Sequence, residues 1–346
     1  MKRGLLLKEQ SVTGEMKVEK LMERFHAEEE FKLDFDTPLS NIMVNADGRF
    51  EHKHHGELNL TDSSFKQLCA NMYGYTVPAE YMKNLYENDK DQFISIMNYH
   101  LSNSKESDKK IRTISTDEGT KVRGIVSTTY SPFDNLQALE TFSRAMKNTG
   151  HDDYMLKTTN VRDNGMFLRF ILPSTQKNFG ESFEGKEDYN YVSLDLINGE
   201  TGLSSLKVLA STYRLVCTNG MVALERVEGL TKRHTGDLSS IVGDMNLTIN
   251  NGIVIAENAL SDLEKSRNIV VKNPYEEIKK YATKGKLNEA QAKKVRENFE
   301  IEADKSLMGI VNAFTRTGRD LKDVDRRIEM ERFANRILKT EISKVA

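Results

Sequence analysis

Regular spacing of apolar positions begins at Leu58. Thr61-Asp-Ser-Ser64 supplies capping oxygens ahead of Phe65, Leu68, Cys69 and Met72, whose three- and four-residue intervals mark one helix face. Val77-Pro78 opens a second helix, because proline fits a first turn, and Tyr81, Leu85 and Tyr86 form its stripe. Residues 89–101 continue with Phe93, Ile96, Met97 and Leu101. Together these predict an N-terminal helical subdomain. The first 57 residues read as a preamble, partly helical or flexible. Residues 17–31 have helical character and a dense acidic face, and a polar stretch with an Asp47-Gly48 turn signal follows.

At Lys109 the period changes to two. Ile111, Thr113 and Ser115 alternate with Arg112, Ile114 and Thr116, Asp117-Glu-Gly119 turns the chain, and residues 121–129 return, so a β-hairpin is expected. Phe133-Asp-Asn135 caps a helix with Leu136, Leu139, Phe142 and Met146 on its face, ended by Gly150. Strands follow at 154–161 and 166–172, joined by Arg162-Asp-Asn-Gly165, whose Asn-Gly favours a tight turn. Residues 189–198 and 206–217 complete the sheet, with residues 198–202 and Asn219-Gly220 as turns and residues 181–188 as an acidic loop. From residue 237 the pattern is helical again, at 275–281, 288–299, 306–314 and 321–342. The last carries Leu321, Val324, Ile328, Ala334, Ile337, Leu338 and Ile342 on one stripe. The expected fold is α+β: an N-terminal helical subdomain, a central mostly antiparallel sheet with packed helices, and a C-terminal helical region. Its expected boundaries are 1–57, 58–236 and 237–346.

At 346 residues the chain can bury a sizeable core without staples, and two cysteines cannot form a disulfide framework, which fits a reducing compartment. No apolar run approaches the ~20 residues of a membrane span, and three consecutive leucines near the start are too few for a signal peptide. The expected setting is therefore cytoplasmic, away from membranes. A net charge of −2 conceals an uneven distribution. Residues 1–60 hold nine Lys/Arg against twelve Asp/Glu, whereas residues 265–346 hold twenty against thirteen. An acidic front and a basic rear suggest head-to-tail self-association or a polyanion-binding face.

The sequence contains no phosphate-loop, dinucleotide-binding, His-Glu-x-x-His, Gly-x-Ser-x-Gly or Cys-x-x-Cys motif, so the common nucleotide, redox and hydrolytic chemistries lose ground. His52, His54 and His55 lack a thiol or carboxylate at zinc spacing and are expected in a solvated loop, with no metal and no cofactor. Cys217 and His234 could pair as nucleophile and base, although Cys217 sits where a packed strand end is expected. The basic groups form the larger set: Arg112, Lys121 and Arg123 on the hairpin, Lys157, Arg162, Arg169, Lys207 and Arg214 on later strands, then Lys232, Arg233 and His234. Cations beside hydroxyl and backbone donors suit phosphate, and Tyr130, Tyr189, Tyr191 and Tyr213 could offer stacking faces. No catalytic set stands out.

The run Asn198-Gly-Glu-Thr-Gly-Leu-Ser-Ser-Leu-Lys-Val208, the string Tyr213-Arg-Leu-Val-Cys-Thr-Asn-Gly-Met221 and Arg233-His-Thr-Gly236 resemble the phage/plasmid-like family carrying domain of unknown function 932. Leu60-Thr-Asp-Ser-Ser-Phe-Lys-Gln-Leu-Cys69 looks like that family's early helix, residues 122–135 like its hairpin-to-helix join, and residues 306–315 like its C-terminal helix. The resemblance covers about residues 58–338 and brings no catalytic residues. It implies a mobile-element protein in a bacterial cytoplasm. The hairpin, helix and basic antiparallel sheet are also similar in architecture to phage single-strand annealing proteins, which form oligomers around DNA. These readings lead to the expectation of a phage-encoded, non-enzymatic, oligomeric DNA-binding protein, with annealing, recombination or an accessory step of DNA metabolism as its expected role. Two alternatives stand beside it. One is a module that binds a host protein through the acidic residues 25–36 and 181–188. The other is an enzyme using Cys217 and His234.

Overall fold

The computed structural model describes residues 5–7, 11–14, 16–72, 77–104, 108–182, 185–216, 218–223, 229–236, 238–321 and 323–344. Strand β1 (Ser11–Gly14) and helix α1 (Val18–Glu29) lead into β2 (Lys32–Pro38), β3 (Ile42–Val44), β4 (Phe50–His52) and β5 (Gly56–Leu60). Three helices follow, α2 (Asp62–Ala70), α3 (Ala79–Asn88) and α4 (Lys90–Asn103), then the hairpin β6 (Asp108–Thr116) and β7 (Gly119–Ser127). Helix α5 (Asn135–Asn148) precedes β8 (Met155–Arg162), β9 (Gly165–Ile171), β10 (Lys177–Glu181), β11 (Glu187–Asn198), β12 (Leu206–Arg214), β13 (Asn219–Val222) and β14 (Leu230–Lys232). The chain ends in α6 (Ile241–Ser266), α7 (Pro274–Lys284), α8 (Glu289–Glu302), α9 (Leu307–Arg319) and α10 (Val324–Ile342).

Two sheets organise these elements, giving the α+β fold with mostly antiparallel strands. The first runs β2-β6-β7-β5-β4-β3, antiparallel except where β5 lies parallel to β7. Helices α2, α3 and α4 cover it around Phe50, Phe65, Phe93, Leu101 and Ile111. The second runs β1-β8-β9-β11-β12-β13, with β10 beside β11 and β14 beside β12. Its larger core takes α5, α6 and the C-terminal helices, through residues such as Phe142, Phe170, Leu194, Met245, Ile253 and Phe314.

Local chemistry explains most of the helix starts. Thr61 and Asn288 start α2 and α8 with capping boxes, and the side chains of Asp89, Ser306 and Asp323 accept from the amides three residues on at α4, α9 and α10. Asp134 caps α5 with Gln137.

The two cores do not follow the boundaries expected at 57/58 and 236/237. Residues 32–60 are strands paired to the hairpin, with Asp34 opposite Arg112 and Leu60 opposite Val122. Polar residues hide this strand in the sequence because Asp34 of β2 faces the buried Arg112 rather than water. At the other end, α6 packs on β11 and β12 as part of the second core. This 26-residue helix lacked an individual expectation because Gly243, Gly252 and several Asn and Thr residues, all weak helix formers, interrupt it. Asn219-Gly220 is a strand paired with Arg214 and Tyr213, not a turn.

Candidate nucleic-acid interface

Five of the ten Lys and Arg side chains expected on a phosphate-gripping surface are buried in ion pairs. Where β6 and β7 meet the second sheet, Arg112 and Arg123 form a junction with Lys32, Asp34, Asp134 and Glu200. Arg112 Nε lies 2.8 Å from Asp34 and its Nη2 2.8 Å from Asp134. Arg123 Nη1 lies 2.5 Å from Glu200, while Lys32 Nζ reaches Asp134 at 3.0 Å and Glu200 at 3.3 Å. The Tyr130 hydroxyl donates to the Glu200 carbonyl at 2.9 Å. Burial opposes ionisation of Asp134, but Arg112, Arg123 and Lys32 outweigh it and hold the carboxyl below its ordinary value. Glu200 goes the other way, raised by burial and by the neighbouring Asp134 charge.

The remaining strand arginines serve the rear helices. Arg169, fully buried on β9, grips Asp195 of β11 at 2.6 and 2.7 Å and Glu331 of α10 at 2.6 and 3.1 Å. Arg327 completes this network at 2.9 Å from Glu331. Arg214 binds Asp188 and, at 2.8 Å, Glu302 of α8, which also meets Arg316 of α9 at 3.0 Å. Lys121 is buried against Asp163 at 2.7 Å, and Lys207 pairs with Asp325 at 2.6 Å. Unpaired buried charge is costly, so each of these arginines is matched by carboxylates across elements.

The expectation that Arg112, Lys121, Arg123, Arg169 and Arg214 face outward is therefore corrected. They are at most 6% exposed, and each is paired with a carboxylate of the protein itself. His234 is buried as well. It stacks on Tyr130 at 5.3 Å, and neither ring nitrogen has a hydrogen-bond partner among the described residues. Burial, with Arg112 nearby, pushes its pKa down to about 4. Lys157, Arg162 and Lys232 are half-buried and Arg233 is exposed. Tyr130, Tyr191 and Tyr213 are buried, leaving only Tyr189 of the four rings half-open.

The other sequence candidates resolve similarly. Cys217 lies outside the described residues. In the acidic segment 25–36, Glu28 pairs with Arg24, Glu29 with Lys32, Asp34 with Arg112 and Asp36 with Lys110. In the acidic loop, Asp188 is buried on Arg214 and residues 183–184 lie outside the described set. His52 is not solvated: it is buried on β4, bonded to the Thr37 hydroxyl at 2.9 Å, with its pKa lowered to about 4 by burial and by His55 and His54. Among the described residues no group of three His, Cys, Asp or Glu side chains is placed to hold a metal ion.

Exposed cationic groups meet instead among the rear helices. A groove of about 620 Å³ runs between the α7–α8 turn and α10. Lys284, Lys286, Arg326 and Arg336 stand around it, all exposed, over a floor that includes Leu287, Met330 and Phe333. Among the described residues Lys284, Lys286 and Arg326 have no ion pair. Asp325 and Glu329 share the lining, the first taken by Lys207 at 2.6 Å and the second 3.7 Å from Arg332. The turn is shaped by Lys286, in left-handed backbone at φ +51°, and by Gly285, where a Cβ would sit 2.8 Å from the Phe333 ring. Individually these four cations carried no motif. Their signal in the sequence was the excess of Lys/Arg over residues 265–346.

A family profile described as domain of unknown function (DUF932) matches residues 122–326, more than half of the chain. No curated protein and no solved structure matches.

Proposed function

The chain belongs to the family of domain of unknown function 932, and we propose that it is a non-enzymatic DNA-binding protein whose contact surface is the groove between the α7–α8 turn and α10. On this reading it is encoded by a phage or related mobile element and serves annealing, recombination or another step of DNA metabolism in the bacterial cytoplasm. One observation carries the choice of surface: Lys284, Lys286 and Arg326 have no carboxylate partner among the described residues, whereas Arg112, Arg123, Arg169 and Arg214 are neutralised inside the fold. Cations left unpaired around a concave surface provide the field that phosphates displace counterions to reach.

Fluorescence anisotropy of size-fractionated protein with labelled DNA tests it. Binding should weaken steeply with salt, and replacing Lys284 and Lys286 together by Gln should lower the slope of log K against log salt by about 1.4 to 1.8. Lys232→Ala with Arg233→Ala should change it much less. No binding at low ionic strength, or binding indifferent to the groove variants, overturns the proposal.

A further inference from the structure

We propose that the groove takes an unpaired nucleotide, its base on the Phe333 floor and its phosphates at Lys284, Lys286, Arg326 and Arg336, so that the ligand is single-stranded rather than duplex DNA. This rests on the nucleic-acid reading above and narrows it.

The argument is the pairing of an apolar floor with a cationic rim. A surface that only attracts phosphate backbones needs charge alone. Here Leu287, Met330 and the half-buried Phe333 lie beneath the cations. Phe333 is held edge-on by Phe314, centroids 5.6 Å apart at 67°, which fixes the ring from the core side. The Arg336 guanidinium lies over the Phe333 ring, 5.6 Å from its centre, so an incoming base would stack against this planar cation or take its place on the ring. Gly285 has no side chain where a Cβ would crowd Phe333, so the turn closes over the edge of the ring without covering the groove. A volume near 620 Å³ falls within the range of sites that enclose a small planar ligand.

A duplex cannot use such a floor. Its bases are stacked inside the helix, and it presents phosphates and groove edges to a protein. An unpaired strand can turn a base face onto an aromatic ring while its phosphates stay at the rim, the arrangement by which single strands are held without sequence preference.

The test compares four probes at one salt concentration: a single-stranded oligonucleotide, its duplex, an abasic strand of equal length and a mononucleotide as competitor. The single strand should bind roughly tenfold or more tightly than the abasic strand and the duplex. Phe333→Leu should bring the single strand down to the abasic level with abasic binding unchanged, and Phe333→Tyr, which keeps a ring, should retain the preference. Equal affinity for single strand and duplex, both weakened by Lys284→Gln, overturns this inference and leaves the nucleic-acid reading standing. Displacement by the mononucleotide as complete as by the oligonucleotide assigns the groove to a free nucleotide and overturns it as well. Absence of binding to every probe, or displacement only by an acidic peptide, overturns both.

Discussion

Gly220 lacks a side chain where the guanidinium of Arg169 lies: a Cβ at Gly220 would fall inside contact distance of Arg169 Nη1 and 2.9 Å from the Thr212 carbonyl. The guanidinium cannot retreat, since Asp195 and Glu331 hold it from two sides at 2.6 Å. Gly220→Ala should therefore destabilise the protein by at least the ~1–3 kcal/mol of an overpacked core. Arg169→Met should cost about 3–5 kcal/mol by stranding the buried Asp195 and leaving Glu331 with Arg327 alone. Their effects should not add, because removing the guanidinium relieves its share of the conflict and leaves only the Thr212 carbonyl against the new Cβ. Urea denaturation of both single variants and the double variant measures this, and simple additivity would refute the spatial conflict.

The buried arginines should affect folding and leave binding alone. Arg112→Met removes the partner of Asp34 and Asp134 at the junction between the two sheets, and Glu302→Ala leaves Arg214 and Arg316 without their shared carboxylate. Each should lower stability by about 3–5 kcal/mol. Under conditions where the variants remain folded, affinity for DNA and its salt slope should match the parent protein. A slope that falls with Arg112→Met while stability holds would return the strand arginines to the interface.

Local order was readable in the sequence and long-range pairing was not. The hairpin, the capped starts of α2, α5, α8 and α9, and the stripe of α10 depend on residues within a few positions of one another. The ion pairs do not. Arg123 and Glu200 are 77 positions apart, Arg214 and Glu302 are 88, and Arg169 and Glu331 are 162. An arginine on a strand looks the same in sequence whether water or a distant glutamate receives it. The basic set was thus legible as chemistry and misplaced in space. The charge excess toward the C-terminal end, a bulk property that needs no pairing, pointed at the elements that carry the groove.

Two buried histidines should make stability fall with acid. His52 and His234 each have a folded-state pKa near 4 against 6.5 for the free side chain. Above pH 6.5 both states are neutral and the folded state bears no penalty. Between 6.5 and about 4 the unfolded chain binds protons that the folded one refuses, so stability declines by up to ~1.4 kcal/mol per pH unit for each histidine. The depressed carboxyls of Asp134 and Glu331 act in the same direction, but below the ordinary carboxylate range, and the raised Glu200 and Asp195 act in the opposite direction. Substitution isolates the histidine share. His234 rests on the Tyr130 ring, and neither ring nitrogen is bonded among the described residues. His234→Phe therefore deletes a buried polar group without orphaning a partner, and should leave stability at pH 7.5 unchanged or improved. Across pH 6.5 to 4.5 the urea midpoint of this variant should drop less steeply than that of the parent. An identical pH profile would mean that His234 takes up its proton inside the fold.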